Sequence, residues 1–242
     1  MSRRDTTLTW IGPDDPLPSA SKALSDPNGL VAAGRDLSAT RLLEAYRAGI
    51  FPWFSRGQPV LWWSPDPRMT LRLDDFKVAR SLIKTVRRLR RENSWRISLD
   101  NAFERVMQEC AAPRAGSPGT WITPAMVSAY SDLHRLQLAH SVEIWEEHEL
   151  VGGLYGVSIG RMFFGESMFA RRTDASKVAL YALVETLKTL GFRVIDCQQN
   201  TEHLASLGAI ETSRSAFLSE LESLIALPAP DWRAVEIGFP RA

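Results

Sequence analysis

Apolar residues recur along this chain in two rhythms, and the changes of rhythm locate most of its elements. A period near 3.6 marks helices, and alternation with period 2 marks strands. Residues 1–30 follow neither. Rich in Pro, Ser, Asp and Gly, they read as an irregular leader. Ser38 then caps a predicted helix over 40–48, with Leu42, Leu43 and Tyr46 on one face and Gly49 at its end. An extended aromatic segment follows over 49–55. The stretch 62–68 carries two prolines, which keep their preceding residues extended. It is therefore the expected seam between a small aromatic-rich N-terminal lobe, residues 1–66, and a larger domain, residues 67–242.

Within the larger domain, 69–73 is a predicted strand and 76–91 an amphipathic helix with Ala79, Leu82, Ile83 and Val86 at helical spacing. Residues 96–99 alternate like a strand, and Asp100 is placed to cap a helix bearing Phe103, Val106, Met107 and Cys110. The stretch 112–119 is a Pro/Gly loop. Thr123 caps the next helix, with Pro124 at its first position, and the pattern runs to about Leu138. Three strands at short spacing follow, over 141–145, 150–157 and 161–169, with joints short enough for antiparallel hairpins. Asp174 caps a helix over 175–190 that Gly191 closes, and an apolar strand covers 192–197. A short helical segment near His203, a turn at 206–209 and a helix over about 214–225 complete the chain. The expected class is α+β. An antiparallel meander, a helix and a returning strand have the element order of a GCN5-related N-acetyltransferase, an analogy of fold that carries no activity.

Composition narrows the setting. With 45% apolar and 24% charged residues the chain reads as a globular protein, and its net charge of +1 means that any nucleic-acid affinity must come from local asymmetry. Two cysteines, Cys110 and Cys197, in apolar contexts argue for a reducing compartment and against a disulfide framework or zinc cluster. No apolar run approaches the roughly 20 residues that span a bilayer. A cytoplasmic location is expected. Eight tryptophans is a high count, and Trp53, Trp62 and Trp63 fall within eleven residues. Such a cluster serves either a binding surface or a compact aromatic core.

The candidate chemistry lies between Gly152 and Gln198. Asp196 and Gln198 stand two apart at the end of a strand that should be buried, so strand alternation points them to one face. A carboxylate there needs partners, and the alternative role is to accept backbone amides of a neighbouring loop. Glu166 interrupts an apolar strand, where alternation groups it with Phe164 and Met168. It is either a site residue or a partner for Arg171, Arg172 or Lys177. On the basic side of the 76–91 helix, Arg80, Lys84, Arg87, Arg88 and Arg91 form a stripe opposed nearby only by Glu92. That stripe is either solvated surface or a track for phosphates.

Several classes are excluded. The four histidines show no metal-ligand spacing, and no Gly-rich phosphate loop or Gly-x-Ser-x-Gly elbow is present. Where acetyltransferases carry a glycine-containing pyrophosphate loop, this chain has Arg171-Arg172-Thr173-Asp174-Ala175-Ser176. Without those glycines a coenzyme A donor is disfavoured, although a helix start beside two arginines suits another anionic donor.

Nine segments carry a more specific signal. They are Pro27-Asn28-Gly29-Leu30, Gly49-Ile50-Phe51-Pro52-Trp53-Phe54, Leu61-Trp62-Trp63-Ser64-Pro65-Asp66-Pro67-Arg68 and Gly119-Thr120-Trp121-Ile122-Thr123. Gly152-Gly153-Leu154-Tyr155-Gly156-Val157, Gly165-Glu166-Ser167-Met168-Phe169, Ala175-Ser176-Lys177, Ile195-Asp196-Cys197-Gln198 and Ala205-Ser206-Leu207-Gly208-Ala209 continue the series. In this order they resemble the bacterial leucyl/phenylalanyl-tRNA–protein transferase family over roughly residues 25–225.

The resemblance implies transfer of leucine or phenylalanine from leucyl-tRNA or phenylalanyl-tRNA to proteins with N-terminal Arg or Lys, marking them for the N-degron pathway. It implies no metal and no organic cofactor, no membrane, and action as a monomer. By the same resemblance Asp196 and Gln198 form a relay that orients and deprotonates the attacking amine. Gln is a poor base, so Gln198 is expected to orient and Asp196 to polarise it. Glu166 matches a family residue near the donor's amino group or the acceptor's positive charge, and is expected to act electrostatically rather than by proton transfer. Trp53 and Trp121 match residues that hold the terminal adenosine, and Phe163, Leu154, Leu183 and Leu187 the apolar pocket. The basic stripe would grip the acceptor stem. At Leu154, Leu183 and Leu187 relatives have Met or aromatic residues, which leaves the preference between Leu and Phe open. An acyltransferase with another donor, and a non-catalytic adaptor on this fold, are the rival readings.

Overall fold

The computed structural model describes residues 8–113 and 120–240. Residues 1–7 of the expected leader, most of the expected 112–119 loop and Gly119 of the quoted segments lie outside them. The leader is not wholly irregular. Strand β1 (Thr9–Ile11) pairs in parallel with β2 (Leu30–Gly34), because Ile11 has an apolar interior to enter. Helix α1 (Ala39–Arg47) starts where Ser38 accepts the Arg41 amide, and it buries Leu42, Ala45 and Tyr46. Strands β3 (Phe51–Pro52) and β4 (Val60–Trp63) complete a four-stranded sheet of order β1-β2-β4-β3.

The chain enters a second, seven-stranded sheet through β5 (Arg68–Arg72). Helix α2 (Arg80–Glu92) begins four residues later than its apolar pattern suggests. Residues 76–79 are held outside it, since the Lys77 amide donates to Leu207 O. After β6 (Trp95–Leu99) comes α3 (Phe103–Ala111), and Asp100 does not cap it. Its carboxylate instead accepts the Ser141 amide at 2.8 Å and meets His140 Nδ1 at 2.7 Å. The amides entering α3, from Asn101 and Ala102, donate to buried Glu143, which also accepts from Ser98 and Ser141. Burial pushes the Glu143 carboxyl up, and those four donors oppose the shift.

Helix α4 (Pro124–Arg135) has the expected Thr123 cap and ends three residues early, where Gln137 turns to a positive φ of 60°. The predicted meander is present as β7 (Ala139–Glu146), β8 (Glu149–Ile159) and β9 (Met162–Ala170), all antiparallel. Helix α5 (Ala175–Thr189) follows. Asp174 sits at its N-cap but at a φ of 67°, and its side chain receives Lys177 and Thr85 rather than a helix amide. Strand β10 (Val194–Gln198) returns parallel to β9, and α6 (Glu202–Ser206), β11 (Ile210–Thr212) and α7 (Arg214–Ile225) finish the fold. The large sheet has the order β11-β5-β10-β9-β8-β7-β6.

Two apolar layers cover that sheet. On one side α2 and α5 pack with Trp232. On the other, α1, α3, α4, α7 and the small sheet share one core with Tyr155 and Phe164. The aromatic cluster divides accordingly: Trp62 is fully buried, whereas Trp53 is 41% exposed and meets Trp63 edge to face at 5.7 Å.

Glycine lets α5 lie close on the sheet. A Cβ at Gly152 would stand 2.4 Å from the Ala175 Cβ at the first turn of α5. Gly152→Ala should therefore lower unfolding stability by about 1–3 kcal/mol, the usual magnitude for overpacking. Urea unfolding checks this, and an unchanged midpoint would show that α5 is free to move away.

Candidate active site

Two strand irregularities build the site. In β9 the register against β8 shifts between Tyr155 and Gly156, which face Ser167 and Gly165, so Glu166 is the extra residue of a bulge. Phe164 and Glu166 keep the expected common face, both against Tyr46, and Met168 leaves it. Phe164 packs in the core with α1 and α4, while Met168 packs toward α5. In β10 the register against β5 shifts between Asp196 and Gln198, with Cys197 extra and Gln198 at a φ of 62°. Because β10 pairs with β9 only at Ile195 and Asp196, the two strands part beyond that point.

A cavity of about 210 Å³ lies at this parting. Leu154, Phe163 and Leu183 line it, together with Leu180, Met168 and Ile195. Leu187 does not. It stands one turn further along α5, about 5.4 Å on, where the helix face has left the cavity for the core. Neither Trp53 nor Trp121 is part of the lining. Trp63 Nε1 donates to Trp53 O at 2.7 Å, and Trp121 is half-buried against the core. Cys197 is in the lining, and burial raises its thiol pKa, which makes it a neutral wall atom.

Glu166 sits at the edge of this cavity and meets none of Arg171, Arg172 or Lys177. Arg171 pairs with Glu109, Arg172 with Glu146 and Glu149, and Lys177 with Asp174. Instead Glu166 Oε1 accepts from Tyr46 Oη and from Gln198 Nε2, both at 2.6 Å, and Oε2 accepts from Tyr130 Oη at 3.3 Å. The two tyrosine oxygens are themselves 2.5 Å apart. Burial is the main cause that lifts the Glu166 carboxyl to about 7. The Asp196 charge adds to the lift, while the Tyr46, Gln198 and Tyr130 hydrogen bonds oppose it. Burial holds both phenols well above their ordinary range, so they remain donors.

Asp196 is buried and already committed. Arg68 binds it with two parallel contacts, Nε to Oδ1 at 2.8 Å and Nη2 to Oδ2 at 2.6 Å. The guanidinium also donates to Gly49 O at 3.2 Å and lies between the rings of Phe51 and Phe217, 4.7 and 4.6 Å from their centroids. Asp196 reaches Gln198 through the main chain, accepting its amide at 2.9 Å, and not through the side-chain amide. That contact sets the Gln198 backbone, while Glu166 anchors Nε2 and leaves Oε1 to accept a hydrogen bond. Nothing local in the sequence marks Arg68, Tyr46 or Tyr130 as site residues. Glu166 lies 120 positions from Tyr46 and 36 from Tyr130, and Arg68 lies 128 from Asp196, so no spacing signal exists. The membership of Arg68 in the Leu61–Arg68 segment was the one available hint.

Arg80, Lys84, Arg87, Arg88 and Arg91 are exposed on α2, opposite buried Leu82, Val86 and Leu89. Glu92 faces Arg88 and Arg91. Among the described residues, no group of three or more His, Cys, Asp or Glu could hold a metal ion, and no helix is long and apolar enough to cross a membrane.

Comparison with known proteins adds to this geometry. Residues 70–222 match the family model described as leucyl/phenylalanyl-tRNA protein transferase, and residues 35–66 match that described as its N-terminal domain. A leucyl/phenylalanyl-tRNA–protein transferase of Paraburkholderia phytofirmans is 58% identical over 230 residues, covering 93% of this chain and 94% of its own. One of Chromobacterium violaceum is 57% identical over 224 residues, with the same coverage of both chains. Among solved structures, L-PGS from Bacillus licheniformis is similar at 13% identity and a TM-score of 0.41, covering 72% of this chain and 58% of its own. A GCN5-related N-acetyltransferase from Kribbella flavida is similar at 10% identity and 0.34, covering 71% and 60%.

The buried pair makes a stability statement. Removing one partner leaves an uncompensated buried charge, so Arg68→Ala should cost about 3–5 kcal/mol in urea unfolding. Replacing both partners, as Arg68→Met with Asp196→Leu, should recover most of that loss. A cost below about 1 kcal/mol for Arg68→Ala would mean that Asp196 finds another partner.

Proposed function

This chain belongs to the leucyl/phenylalanyl-tRNA protein transferase family, and we propose that Glu166 and Gln198 together receive its attacking amine. The donor is a leucyl- or phenylalanyl-tRNA, and the acceptor is the α-amine of a protein beginning with Arg or Lys. The reaction proceeds in the cytoplasm, on a single chain. The observation that carries this reading is the 2.6 Å contact between Gln198 Nε2 and Glu166 Oε1 at the edge of the apolar cavity.

The chemistry follows from that contact. The donor's Leu or Phe side chain fills the cavity between Phe163, Leu154 and Leu183. Its ester carbonyl is then held at the edge, and positioning supplies much of the rate. Gln198 Oε1 accepts one N–H of the incoming amine and orients its lone pair toward the ester carbon. As the C–N bond forms, a proton must leave the nitrogen. Glu166, its pKa raised by burial to about 7, is suited to take it. The C–O bond to the ribose then breaks, and the ribose oxygen takes up the proton that Glu166 accepted, which restores the carboxylate. Asp196 and Arg68 move no proton. They act by holding the backbone at Gln198.

The nucleic acid is assigned to two other surfaces. Trp53, exposed and braced by Trp63, and Trp121 stack the terminal adenosine, a contact worth about 1–3 kcal/mol per base. The α2 stripe of Arg80, Lys84, Arg87, Arg88 and Arg91 contacts backbone phosphates, which give affinity without sequence readout.

Radiolabelled leucine or phenylalanine from charged tRNA should appear on Arg- and Lys-starting peptides and not on Ala-starting ones. No transfer from either charged tRNA would sink the reading. At saturating substrates the rate should rise with pH through about 7, because only ionised Glu166 accepts a proton. Glu166→Gln should lower kcat by about 10²–10⁴-fold, the range for general base catalysis. The Tyr46 hydrogen bond lowers the Glu166 pKa, so Tyr46→Phe should move the acid limb to higher pH. An acid limb identical in wild type and both variants would assign it to the substrate amine instead. Neutralising any one of the five α2 cations should weaken tRNA binding and reduce its salt slope by about 1. Unchanged slopes would make the stripe ordinary solvated surface.

A further inference from the structure

Transfer at the ester leaves one requirement unmet, which is a site for the acceptor's own first side chain. A second cavity, of about 610 Å³, opens beside the acyl cavity and shares Met168 and His203 with it. Glu109, Arg171 and Ser176 are among its other walls. Glu109 stands in the last turn of α3, where the helix carbonyls add negative partial charge. Its side chain is 16% exposed, against 58% for its partner Arg171, so the carboxylate is the buried member of the pair and the guanidinium the one open to exchange with solvent-borne cations. Arg171 directs both Nε, at 2.7 Å, and Nη2 to the same oxygen, Glu109 Oε2. Among the described residues Glu109 Oε1 accepts no hydrogen bond.

We propose that Glu109 selects the acceptor, binding the guanidinium or ammonium of an N-terminal Arg or Lys that takes the place of Arg171 in this cavity. This rests on the reading that the acceptor begins with Arg or Lys. The half-exposed Arg171 already shows which chemistry the carboxylate accepts. A neutral first residue would have to leave the ion pair intact and find no partner of its own. The shared walls put this charge contact beside the amine that attacks from the edge of the acyl cavity. An anionic occupant, such as a phosphate near the tRNA terminus, is disfavoured because the more buried charge here is negative.

Steady-state kinetics on the full chain with charged tRNA and Arg-, Lys- and Ala-starting peptides tests the assignment. Glu109→Gln should raise KM for the Arg and Lys peptides about tenfold or more, with kcat and the tRNA KM unchanged. Arg171→Ala should lower the peptide KM several-fold, because it removes a competitor for the carboxylate. Glu109→Asp should recover part of the binding. If the ion pair only supports α3, both variants will move the peptide KM the same way, which overturns the proposal. A change in the tRNA KM instead would assign the cavity to the donor's phosphate and overturn it too. Should Glu109→Gln fold poorly, Arg171→Ala decides alone, since its expected effect is a gain. Wild-type transfer to neither Arg nor Lys peptides would reject the parent reading itself, and this one with it.

Discussion

The arrangement depends on one buried ion pair. Arg68 and Asp196 are both fully inaccessible, and their two parallel contacts join β5 to β10 at the point where β10 leaves β9. The same guanidinium reaches Gly49 O beyond the end of α1 and is flanked by Phe51 from the small sheet and Phe217 from α7. One cation thus collects the N-terminal lobe, the returning strand and the C-terminal helix. A buried pair of this kind is weak evidence for net stability, since apolar replacements often serve as well. Its value is geometric. It fixes the carboxylate that accepts the Gln198 amide and so holds that residue in a left-handed conformation.

Two bulges then do what regular strands cannot. Strict alternation would send Glu166 with Phe164 and Met168, and Gln198 with Asp196. Each inserted residue breaks that sequence, so Glu166 stays with Phe164 against Tyr46 while Met168 turns to the cavity. The result places a carboxyl of raised pKa, an amide and an apolar cavity within contact of one another. Burial raises the carboxyl, and the two phenols, being held neutral, limit the rise by donating to it. The nearby Asp196 charge raises it further, which links the structural pair to the chemistry through electrostatics as well as through the backbone.

Much of the fold was legible in advance. The Ser38 and Thr123 caps, the meander, and α5 with its Gly191 stop all follow from local rules of capping and alternation, which depend on neighbours in sequence. The departures share a cause. Asp100 was expected to cap α3 and binds β7 instead, because Glu143 on β7 supplies the acceptors from across the sheet. The leader was expected to be irregular and supplies a strand, because β2 offers an edge to pair with. Leu187 was expected at the cavity and lies in the core, because helix periodicity gives the face of a side chain and not how far the cavity extends along it.

Glu166, Asp196 and Gln198 could be named from the chain itself, since a charge or amide in an apolar strand stands out against its neighbours. The order of motifs also determined the family. Which of those groups touch was decided only by tertiary structure. Arg68, Tyr46 and Tyr130 carry no local signal, because arginine and tyrosine are unremarkable where they stand and their partners are 128, 120 and 36 positions away. Local rules see the 3.6- and 2-residue periods, but a hydrogen bond between distant segments exists only once two sheets share one core, and that sharing sets both the partners and the pKa.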